Sequence, residues 1–304
     1  MKRIIFPLIA IILAACSSEP QYATRAEKLL AEIHDPSSDY VMVISHRGDW
    51  RNYPENSIPA IESVIRMGVD IVEIDLKMTK DSVLVLSHDQ TINRMFNGKG
   101  RVSDFTYDSL KTFRLRRAHS ITTDSLHVAT LEEALMVCKD RILVNLDHAW
   151  GYYDEALEVA EKVGCVDQIL MKGSRPVAEV EAKFASHEKN FMYMPIVNIL
   201  TESGKELYDS YKEMGLGTQI AYEVCWDRNT PEVTECMTEI VEGGAKAWAN
   251  TIWGSLCGYL DDDAAFEKGF ETTYDRILDM GVTMIQTDRP EFLIDYLRSK
   301  GRHD

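Results

Sequence analysis

Short apolar segments rich in Val and Ile alternate with helix-period segments along most of the chain, and this alternation limits the possible folds most strongly. Nine segments are predicted as strands: Tyr40–Ser45, Val69–Leu76, Val83–Ser87, Arg141–Asp147, Gln168–Lys172, Phe191–Val197, Gln219–Val224, Ala245–Asn250 and Val282–Thr287. Helices are predicted at Ile58–Met67, Leu131–Cys138, Tyr153–Val163, Val177–Ser186, Glu202–Met214, Pro231–Gly243, Phe266–Met280 and Glu291–Ser299. Strands that alternate with helices in this way pair in parallel.

The length of 304 residues, together with the alternation, predicts an α/β fold of the (β/α)8 TIM-barrel type rather than an open doubly wound sheet. The sequence contains neither a GxGxxG motif nor a Walker loop, which weakens a nucleotide-binding alternative. A barrel has eight strand positions, so one of the nine predicted strands is wrong or lies outside the barrel.

Two regions interrupt the alternation and predict an irregular barrel around strands 2–3. Only residues 77–82 separate Val69–Leu76 from Val83–Ser87, with room for a turn at 79–82 but not for a parallel crossover, so these segments form a hairpin or double back in extended form. Residues 90–128 are polar, with one short predicted helix at Tyr107–Phe113. An insertion of this length in a compact domain is often a lid or a binding loop.

The first 16 residues resemble a bacterial lipoprotein signal peptide. Lys2 and Arg3 precede a short apolar core, and Leu13-Ala14-Ala15-Cys16 resembles a lipobox. We therefore expect export, lipidation of Cys16 and anchoring at a periplasmic or cell-surface membrane face. A transmembrane anchor is the alternative, but a span needs about 20 apolar residues, more than this short apolar core provides. The domain division that follows is a tether and first helix over 17–39, with the helix at Ala23–Ile33, and a barrel over 40–300.

The formal net charge of −16 argues against nucleic acid as a partner, because phosphate backbones bind basic faces. A strongly acidic protein that acts on an anionic substrate needs a local source of positive charge, such as a metal ion. The five cysteines after Cys16 show no CxxC spacing, so no zinc site is predicted from them. The sequence does not set the oligomeric state.

Acidic side chains and imidazoles collect at the predicted strand ends. Glu73 and Asp75 are two residues apart, so on a strand they point to the same face. Two carboxylates on an otherwise apolar strand repel each other, and a hard divalent cation is the simplest compensation. A strand end that is open to solvent is the alternative. Other predicted strands end at His46, His88 and Asp147-His148, and active sites of barrel enzymes lie at the C-terminal strand ends.

These residues belong to a pattern that resembles the glycerophosphodiester phosphodiesterase family. The matching segments are HRG (46–48), PENS (54–57), EIDLKMTKD (73–81), SHD (87–89), NRMFNGKGRVSDFTYDSLKTFRL (93–115), TLEEAL (130–135) and QTDRPEFL (286–293). The resemblance spans about residues 40–300 and is strongest between 40 and 135. The HRG, E-x-D and HD elements form a specific signature in this order, although each alone is weak.

The resemblance implies a metal-dependent phosphodiesterase with a barrel fold. It implies that His46 and His88 are the acid–base pair. It also implies that Glu73 and Asp75 bind the metal and that Arg47 contacts the phosphate.

The third carboxylate of the family's metal site comes from a strand motif of the form E-x-K, and here that strand is NLDHAW. The resemblance then implies Asp147 as the ligand, while the family Lys has no counterpart because Ala149 stands in its place. Lys172, at the end of the next strand, is a candidate to supply the missing charge. Trp248 corresponds loosely to a substrate-contacting Trp that the family carries on a late strand. Glu55 either supports its loop or belongs to the substrate site.

The chemistry of phosphodiester hydrolysis agrees with this residue set. A metal ion and Arg47 stabilise charge on the phosphoryl group, and two imidazoles, which ordinarily titrate near working pH, transfer protons. All-carboxylate ligation favours Ca2+ or Mg2+, with Mn2+ also possible, over softer ions. The sequence leaves open which imidazole is the acid. It also leaves open whether water or a substrate hydroxyl attacks.

The predicted function is hydrolysis of small-molecule glycerophosphodiesters to glycerol 3-phosphate and an alcohol. One alternative is a phosphodiesterase for another headgroup, such as a phosphoinositol or sugar-phosphate diester. Another is a non-catalytic lipoprotein that binds a phosphoryl ligand, although a binder needs no acid–base pair. Arg94 and Lys99 are interpreted as solvated loop charges, Glu223 as a lesser site candidate, and Asp261–Asp263 as a solvated acidic turn.

Overall fold

The computed structural model describes residues 21–304. The predicted signal peptide, its lipobox and Cys16 lie outside the described residues. Between residues 21 and 304, no helix is both long enough and apolar enough to cross a membrane.

Eight parallel strands form a closed barrel, which confirms the predicted TIM-barrel fold. The strands of the described chain are β1 Met42–Ser45, β2 Ile71–Met78, β3 Leu84–Leu86, β4 Arg116–Arg117, β5 Ile121–Thr122, β6 Leu143–Asp147, β7 Ile169–Gly173, β8 Met192–Val197, β9 Ala221–Val224, β10 Lys246–Asn250 and β11 Val282–Thr287. The barrel consists of β1, β2 and β6 to β11 in sequence order, and β1 closes it by pairing with both β11 and β2.

The helices follow the barrel strands, as the alternation predicts. They are α1 Arg25–His34, α2 Ile58–Met67, α3 Tyr107–Leu110, α4 Leu131–Cys138, α5 Tyr153–Val163, α6 Val177–Ala185, α7 Glu202–Met214, α8 Pro231–Glu242, α9 Asp262–Lys268, α10 Phe270–Asp279 and α11 Pro290–Ser299. Local sequence fixes several ends: the Ser57 hydroxyl accepts a hydrogen bond from Ala60 N at the start of α2, and Gly68, with φ +95°, ends that helix.

Two of the predicted helices are wrong in extent. The prediction of one helix over Phe266–Met280 fails because Gly269, with φ +100°, separates α9 from α10. Asp261 starts α9 earlier than predicted, since its side chain accepts from Ala264 N. The helix predicted at Tyr107–Phe113 ends at Leu110.

Of the nine predicted strands, the one that lies outside the barrel is β3. β3 pairs antiparallel with the end of β2, so of the two expected arrangements the hairpin is the one that forms. The insertion that follows carries the small β4–β5 hairpin and an apolar cluster of its own, formed by Val85, Ile92, Met95, Phe96, Val102, Leu110, Leu115 and Val128. The hairpin and the insertion therefore stand beside the C-terminal mouth of the barrel.

The barrel interior is apolar at its N-terminal end and polar towards its C-terminal mouth. Leu29 and Ile33 of α1 pack against the apolar interior residues Met42, Ile44, Ile71, Leu143, Leu170, Met194, Ala221, Trp248 and Met284. Side chains two residues apart on a strand share a face, so the next inward positions are Glu73 after Ile71, Asn145 after Leu143 and Lys172 after Leu170. Sequence periodicity thus stacks a polar layer on an apolar one.

The N-terminal end also holds one buried carboxylate whose hydrogen-bonding capacity is filled. Asp70 is fully buried, and its Oδ1 accepts from Arg25 Nη2 at 3.0 Å and from Tyr40 Oη at 2.9 Å. Its Oδ2 accepts from Val43 N at 2.8 Å and lies 3.0 Å from His303 Nε2. Asp70 therefore joins α1, β1 and the C-terminal residues at this end of the barrel.

Candidate active site

The HRG segment forms a tight turn directly after β1. Arg47 and Gly48 both have left-handed backbone, with φ +54° and +70°. A Cβ at Gly48 would lie 3.0 Å from Ala60 of α2, so the turn requires glycine for both its conformation and its space. The turn brings the backbone N–H of Arg47 to Glu73 Oε2, at 2.8 Å, and so ties the end of β1 to β2.

Three carboxylates from two neighbouring strands converge at the mouth. Glu73, Asp75 and Asp147 each offer an oxygen within 4.8 Å of the others, because Asp75 and Asp147 are register partners between β2 and β6. Glu73 Oε1 is buried and has no hydrogen-bond partner among the described residues. The same holds for the Oδ1 atom of Asn145, the register partner of Glu73.

The electrostatics of this carboxylate cluster leave it short of positive charge. Burial, reinforced by the charges of Asp75 and Asp147, raises the pKa of Glu73 well above its usual value. Burial also acts to raise the pKa of Asp147, but the Lys172 ammonium, His148 with its backbone N–H, and His46 together lower it. Lys172 Nζ lies 3.6 Å from Asp147 Oδ2 and 3.0 Å from Glu223 Oε2, so one ammonium serves several acids.

These residues fit a divalent cation. Three carboxylates with oxygens close together, one of them the unpartnered Glu73 Oε1, supply the hard oxygen donors that Ca2+, Mg2+ and Mn2+ prefer. Asn56 holds Asp75 in place: its Nδ2 donates to Asp75 Oδ2 at 2.8 Å, and its Oδ1 accepts from Asp75 N at 3.0 Å. The other carboxylate oxygen of Asp75 remains for a ligand.

His46 is oriented by a carboxylate from the end of β11. Its Nδ1 donates to Asp288 Oδ1 at 2.8 Å, and the indole N–H of Trp50 donates to the same oxygen at 2.7 Å. A carboxylate only accepts hydrogen bonds, so this contact places the proton of the neutral ring on Nδ1. Nε2 is then the nitrogen that accepts or delivers a proton.

His88 is oriented by a carboxylate in the same way. Its Nδ1 donates to Asp89 Oδ1 at 2.7 Å, and Arg94 donates to both Asp89 oxygens, at 2.8 and 3.0 Å. The hydrogen bond from Arg94 lowers the pKa of Asp89 despite partial burial. Both predicted acid–base residues therefore present Nε2 and carry a carboxylate behind the ring.

Glu55 connects the HRG turn to the insertion. Arg47 Nη1 donates to Glu55 Oε1 at 3.0 Å, and Arg94 Nη2 donates to the same oxygen at 2.9 Å. His119, at the tip of the β4–β5 hairpin, contacts Glu55 Oε2. Glu55 thus pairs with positively charged side chains of the site. The interpretation of Arg94 as a solvated charge is wrong, because Arg94 bridges Glu55 and Asp89.

Two of the residues predicted to bind substrate lie below the surface of the mouth. Trp248 is fully buried inside the barrel, with Lys172 Nζ 5.2 Å from the centre of its ring. Lys172 itself is 2% exposed at its side chain. The exposed aromatic residue at the mouth is Trp253, which is 55% exposed and packs edge-on to His46 with ring centroids 6.0 Å apart. Trp253, His119 and Asp288 are not among the site residues that the sequence predicts.

Asp262 is buried and supports the His46 side of the site. The prediction of a solvated turn at Asp261–Asp263 is wrong for this residue, which is 2% exposed. Its carboxylate accepts hydrogen bonds from Asp288 N and from the hydroxyls of Thr251, Tyr274 and Thr287, all at 2.7–2.9 Å. Burial raises the pKa of Asp262 to about 6.

A cavity of about 270 Å³ lies beside these groups, and its lining includes His46, Arg47, Trp50, His119, Trp253 and Asp288. The walls come from the HRG turn, from the insertion and from the loops after β10 and β11. The cavity is therefore formed where the predicted barrel loops converge, with an imidazole and a guanidinium facing the same space.

Sequence comparisons connect this site to known proteins. A model of the glycerophosphoryl diester phosphodiesterase family matches residues 46–202, and a model of a domain of unknown function matches residues 193–297. A glycerophosphodiester phosphodiesterase of Caldanaerobacter subterraneus is 37% identical over 107 residues, 35% of this chain and 44% of that protein. Human glycerophosphodiester phosphodiesterase 1 is 30% identical over 155 residues, 50% of this chain and 45% of that protein. The chain thus spans less than half the length of these curated relatives.

Structural comparisons extend over most of the chain. A glycerophosphoryl diester phosphodiesterase from Parabacteroides distasonis has a TM-score of 0.73 and 26% identity, covering 90% of this chain and 92% of that chain. An Oleispira antarctica phosphodiesterase, solved in complex with the product sn-glycerol-3-phosphate, has a TM-score of 0.62 and 18% identity, covering 85% and 97%, and it supports the fold alone. The family model covers just over half of this chain and includes its HRG, E-x-D and HD elements. The protein belongs to the glycerophosphoryl diester phosphodiesterase family.

Proposed function

We propose that this protein hydrolyses glycerophosphodiesters to glycerol 3-phosphate and an alcohol. One observation carries the proposal: two imidazoles, each held through Nδ1 by a carboxylate, stand at the same barrel mouth as three clustered acids. Family membership and the named relatives support the same activity.

Glu73, Asp75 and Asp147 would hold a divalent cation in this reaction. When bound, such an ion stabilises negative charge on the phosphoryl oxygens. Arg47 lies beside the cluster, with its Nε 3.5 Å from Asp75 Oδ2, and its guanidinium donates hydrogen bonds to a phosphoryl oxygen. Glu55 keeps that guanidinium in place through its 3.0 Å contact with Nη1, which reduces the ordering required when substrate binds.

His46 and His88 move the protons. One Nε2 removes a proton from the attacking hydroxyl, and the other delivers a proton to the leaving alkoxide. Asp288 and Asp89 keep each ring in the required tautomer and stabilise the imidazolium that forms after proton uptake. Water or a hydroxyl of the substrate serves as the nucleophile in the same arrangement.

The activity is tested with purified protein and glycerophosphocholine, with and without EDTA. We expect glycerol 3-phosphate release that EDTA abolishes and Ca2+ or Mg2+ restores. The matched variant Glu73→Gln keeps the shape of the side chain and removes its charge, so it should need a higher metal concentration. Hydrolysis that persists in EDTA, or no hydrolysis of any glycerophosphodiester with metal present, would contradict the proposal.

We also propose that the protein is exported and anchored to a membrane through a lipid on Cys16. The support is the lipobox-like sequence before this residue. Metabolic labelling with a fatty acid should mark the wild type, and Cys16→Ala should abolish the label and release the protein from membranes. An unlabelled wild type would sink this proposal.

A further inference from the structure

His148 at the mouth has no role in the proposed reaction. His148 follows Asp147 at the end of β6, and its ring lies edge-on to that of His88, with ring centroids 5.1 Å apart and planes at 82°. Asp75, His88 and His148 each offer a ligand atom within 4.8 Å of the other two. This set differs from the carboxylate cluster because it contains two imidazoles and one carboxylate.

The surroundings of His88 suit a metal ligand. Histidines that bind metals usually donate the other ring N–H to a carboxylate, which fixes the tautomer and raises the basicity of the ligating nitrogen. His88 makes this contact through Nδ1 to Asp89 at 2.7 Å, and Arg94 holds Asp89 through two hydrogen bonds. The Nε2 atom of His88 can therefore accept a proton or bind a metal cation.

The backbone at His148 is held in an uncommon conformation. Its φ of +51° is left-handed, which is rare for a residue with a side chain and occurs where the surroundings maintain it, often at functional sites. The His148 N–H donates to Asp147 Oδ1 at 2.7 Å, so a member of the carboxylate cluster itself maintains this conformation. The two ligand sets are therefore connected through the adjacent residues Asp147 and His148.

We propose that a borderline divalent ion such as Zn2+ binds Asp75, His88 and His148 at a second cation position. Two nitrogens and one carboxylate oxygen, with a coordination site left for water, are a ligand set that Zn2+ prefers and that Ca2+ and Mg2+ do not. Asp75 belongs to both sets, and Asn56 already occupies its Oδ2. The two positions therefore have the Asp75 carboxylate in common.

An ion at the second position has a consequence for the reaction, a point that rests on the proposed function. Coordination through Nε2 of His88 removes that nitrogen from proton transfer, so Zn2+ inhibits hydrolysis even when Ca2+ or Mg2+ is present. A protein with this geometry responds oppositely to hard and borderline ions at sites that have one ligand in common.

The site is tested with the full chain, freed of metal and titrated with Co2+. Imidazole-ligated Co2+ of low coordination number absorbs visible light strongly, whereas Co2+ held by oxygens alone absorbs weakly. We expect an intense band for the wild type and for His127→Asn, a control at an exposed histidine whose ring nitrogen lies 3.4 Å from the Ser125 carbonyl. His148→Asn should lose the band, with its fold checked by circular dichroism.

Zn2+ competition against Co2+ completes the experiment. Asp89→Asn keeps all three ligands but weakens the support of His88, so we expect its Zn2+ affinity to fall about 10- to 100-fold. A wild type without the band, or a folded His148→Asn that keeps the band and its Zn2+ affinity, would overturn the proposal. These spectra need no substrate, so they separate failure of the second site from failure of the proposed phosphodiesterase activity.

Discussion

The two ends of the barrel treat buried carboxylates differently. Asp70 and Glu73 are three residues apart and almost fully buried. At the N-terminal end, both oxygens of Asp70 have protein partners, from α1, β1 and the C-terminal residues. At the C-terminal mouth, Glu73 receives one backbone N–H, and its other oxygen has no partner in the described chain.

This difference separates a structural acid from a functional one. A buried acceptor without a partner costs free energy, and like charges nearby increase the cost. The chain satisfies Asp70 with its own donors, so that carboxylate fastens the fold. It gathers Glu73 with two further acids and leaves Glu73 Oε1 without a partner among the described residues, which is useful only if something outside the chain supplies the positive charge.

The largest expected effect is at the mouth. His46→Ala or His88→Ala should each lower kcat by about 10²- to 10⁴-fold, the scale of a lost general acid or base. Melting temperature should change little, since neither imidazole belongs to the apolar core. Hydrolysis rates and thermal unfolding, measured on the same preparations, check this. Full activity in His88→Ala would show that the assigned roles are wrong.

At the other end, Asp70→Asn should reduce stability and spare catalysis. Removing this charge leaves Arg25 and His303 without their buried partner, and breaking a pair of this kind costs about 3 kcal/mol. Urea unfolding should show that loss, while kcat/KM of the folded variant stays within about twofold of the wild type. A stable Asp70→Asn protein, or one that is folded but inactive, would remove the contrast between the two ends.

The contrast also predicts a pH dependence for the metal-free protein. Burial and the neighbouring acids hold the pKa of folded Glu73 above 4.5, so above that pH the folded state binds more protons than the unfolded state. This stabilisation is complete below pH 4.5 and is lost as pH rises through the folded pKa, with a slope of at most about 1.4 kcal/mol per pH unit. Chemical unfolding at several pH values measures it.

Two controls sharpen that experiment. Glu73→Gln and saturating Ca2+ should each remove most of this slope, because one abolishes the titration and the other neutralises the cluster. Asp70→Asn should leave the slope intact while lowering stability at every pH. An unchanged slope in Glu73→Gln would mean that another group titrates.

The smallest effect is expected at the rim of the mouth. Trp253 is exposed beside His46, so Trp253→Ala should raise KM by a few-fold and leave kcat nearly unchanged, as for an interaction that binds substrate and transition state equally. Trp248→Phe, inside the barrel, is the matched comparison. It should lower the free energy of unfolding rather than change KM. Steady-state kinetics with glycerophosphocholine and glycerophosphoethanolamine measure both variants. A large fall in kcat for Trp253→Ala would assign this residue to the chemistry.

Local sequence patterns predict the barrel because each strand, helix and turn is set by residues that are close together in the chain. Apolar strands, helix periodicity and the Ser57 cap fix most elements, and the short turn at 79–82 reveals the β2–β3 hairpin. The error at Phe266–Met280 arose because the amphipathic pattern runs on across Gly269, whose positive φ breaks the helix. Strand-end positions likewise indicate where Glu73 and Asp147 meet.

Contacts between distant segments could not be predicted from local patterns. Asp288 lies 242 residues from His46 along the chain, and only the closure of the barrel between β1 and β11 brings them together. Asp262 has the composition of a solvated turn, yet Thr251, Tyr274 and Thr287 enclose it. His119 depends on a two-residue strand pair within the insertion, which is too short to give a periodic signal.

We infer that the clustered acids at the C-terminal mouth form a divalent-metal site, and a crystal structure grown with Ca2+ would show whether they bind the ion. We predict an ion bound by Glu73, Asp75 and Asp147 at about 2.3–2.6 Å, while Asp70 keeps its protein donors and binds none. A saturated crystal with no ion among these three carboxylates would contradict the account.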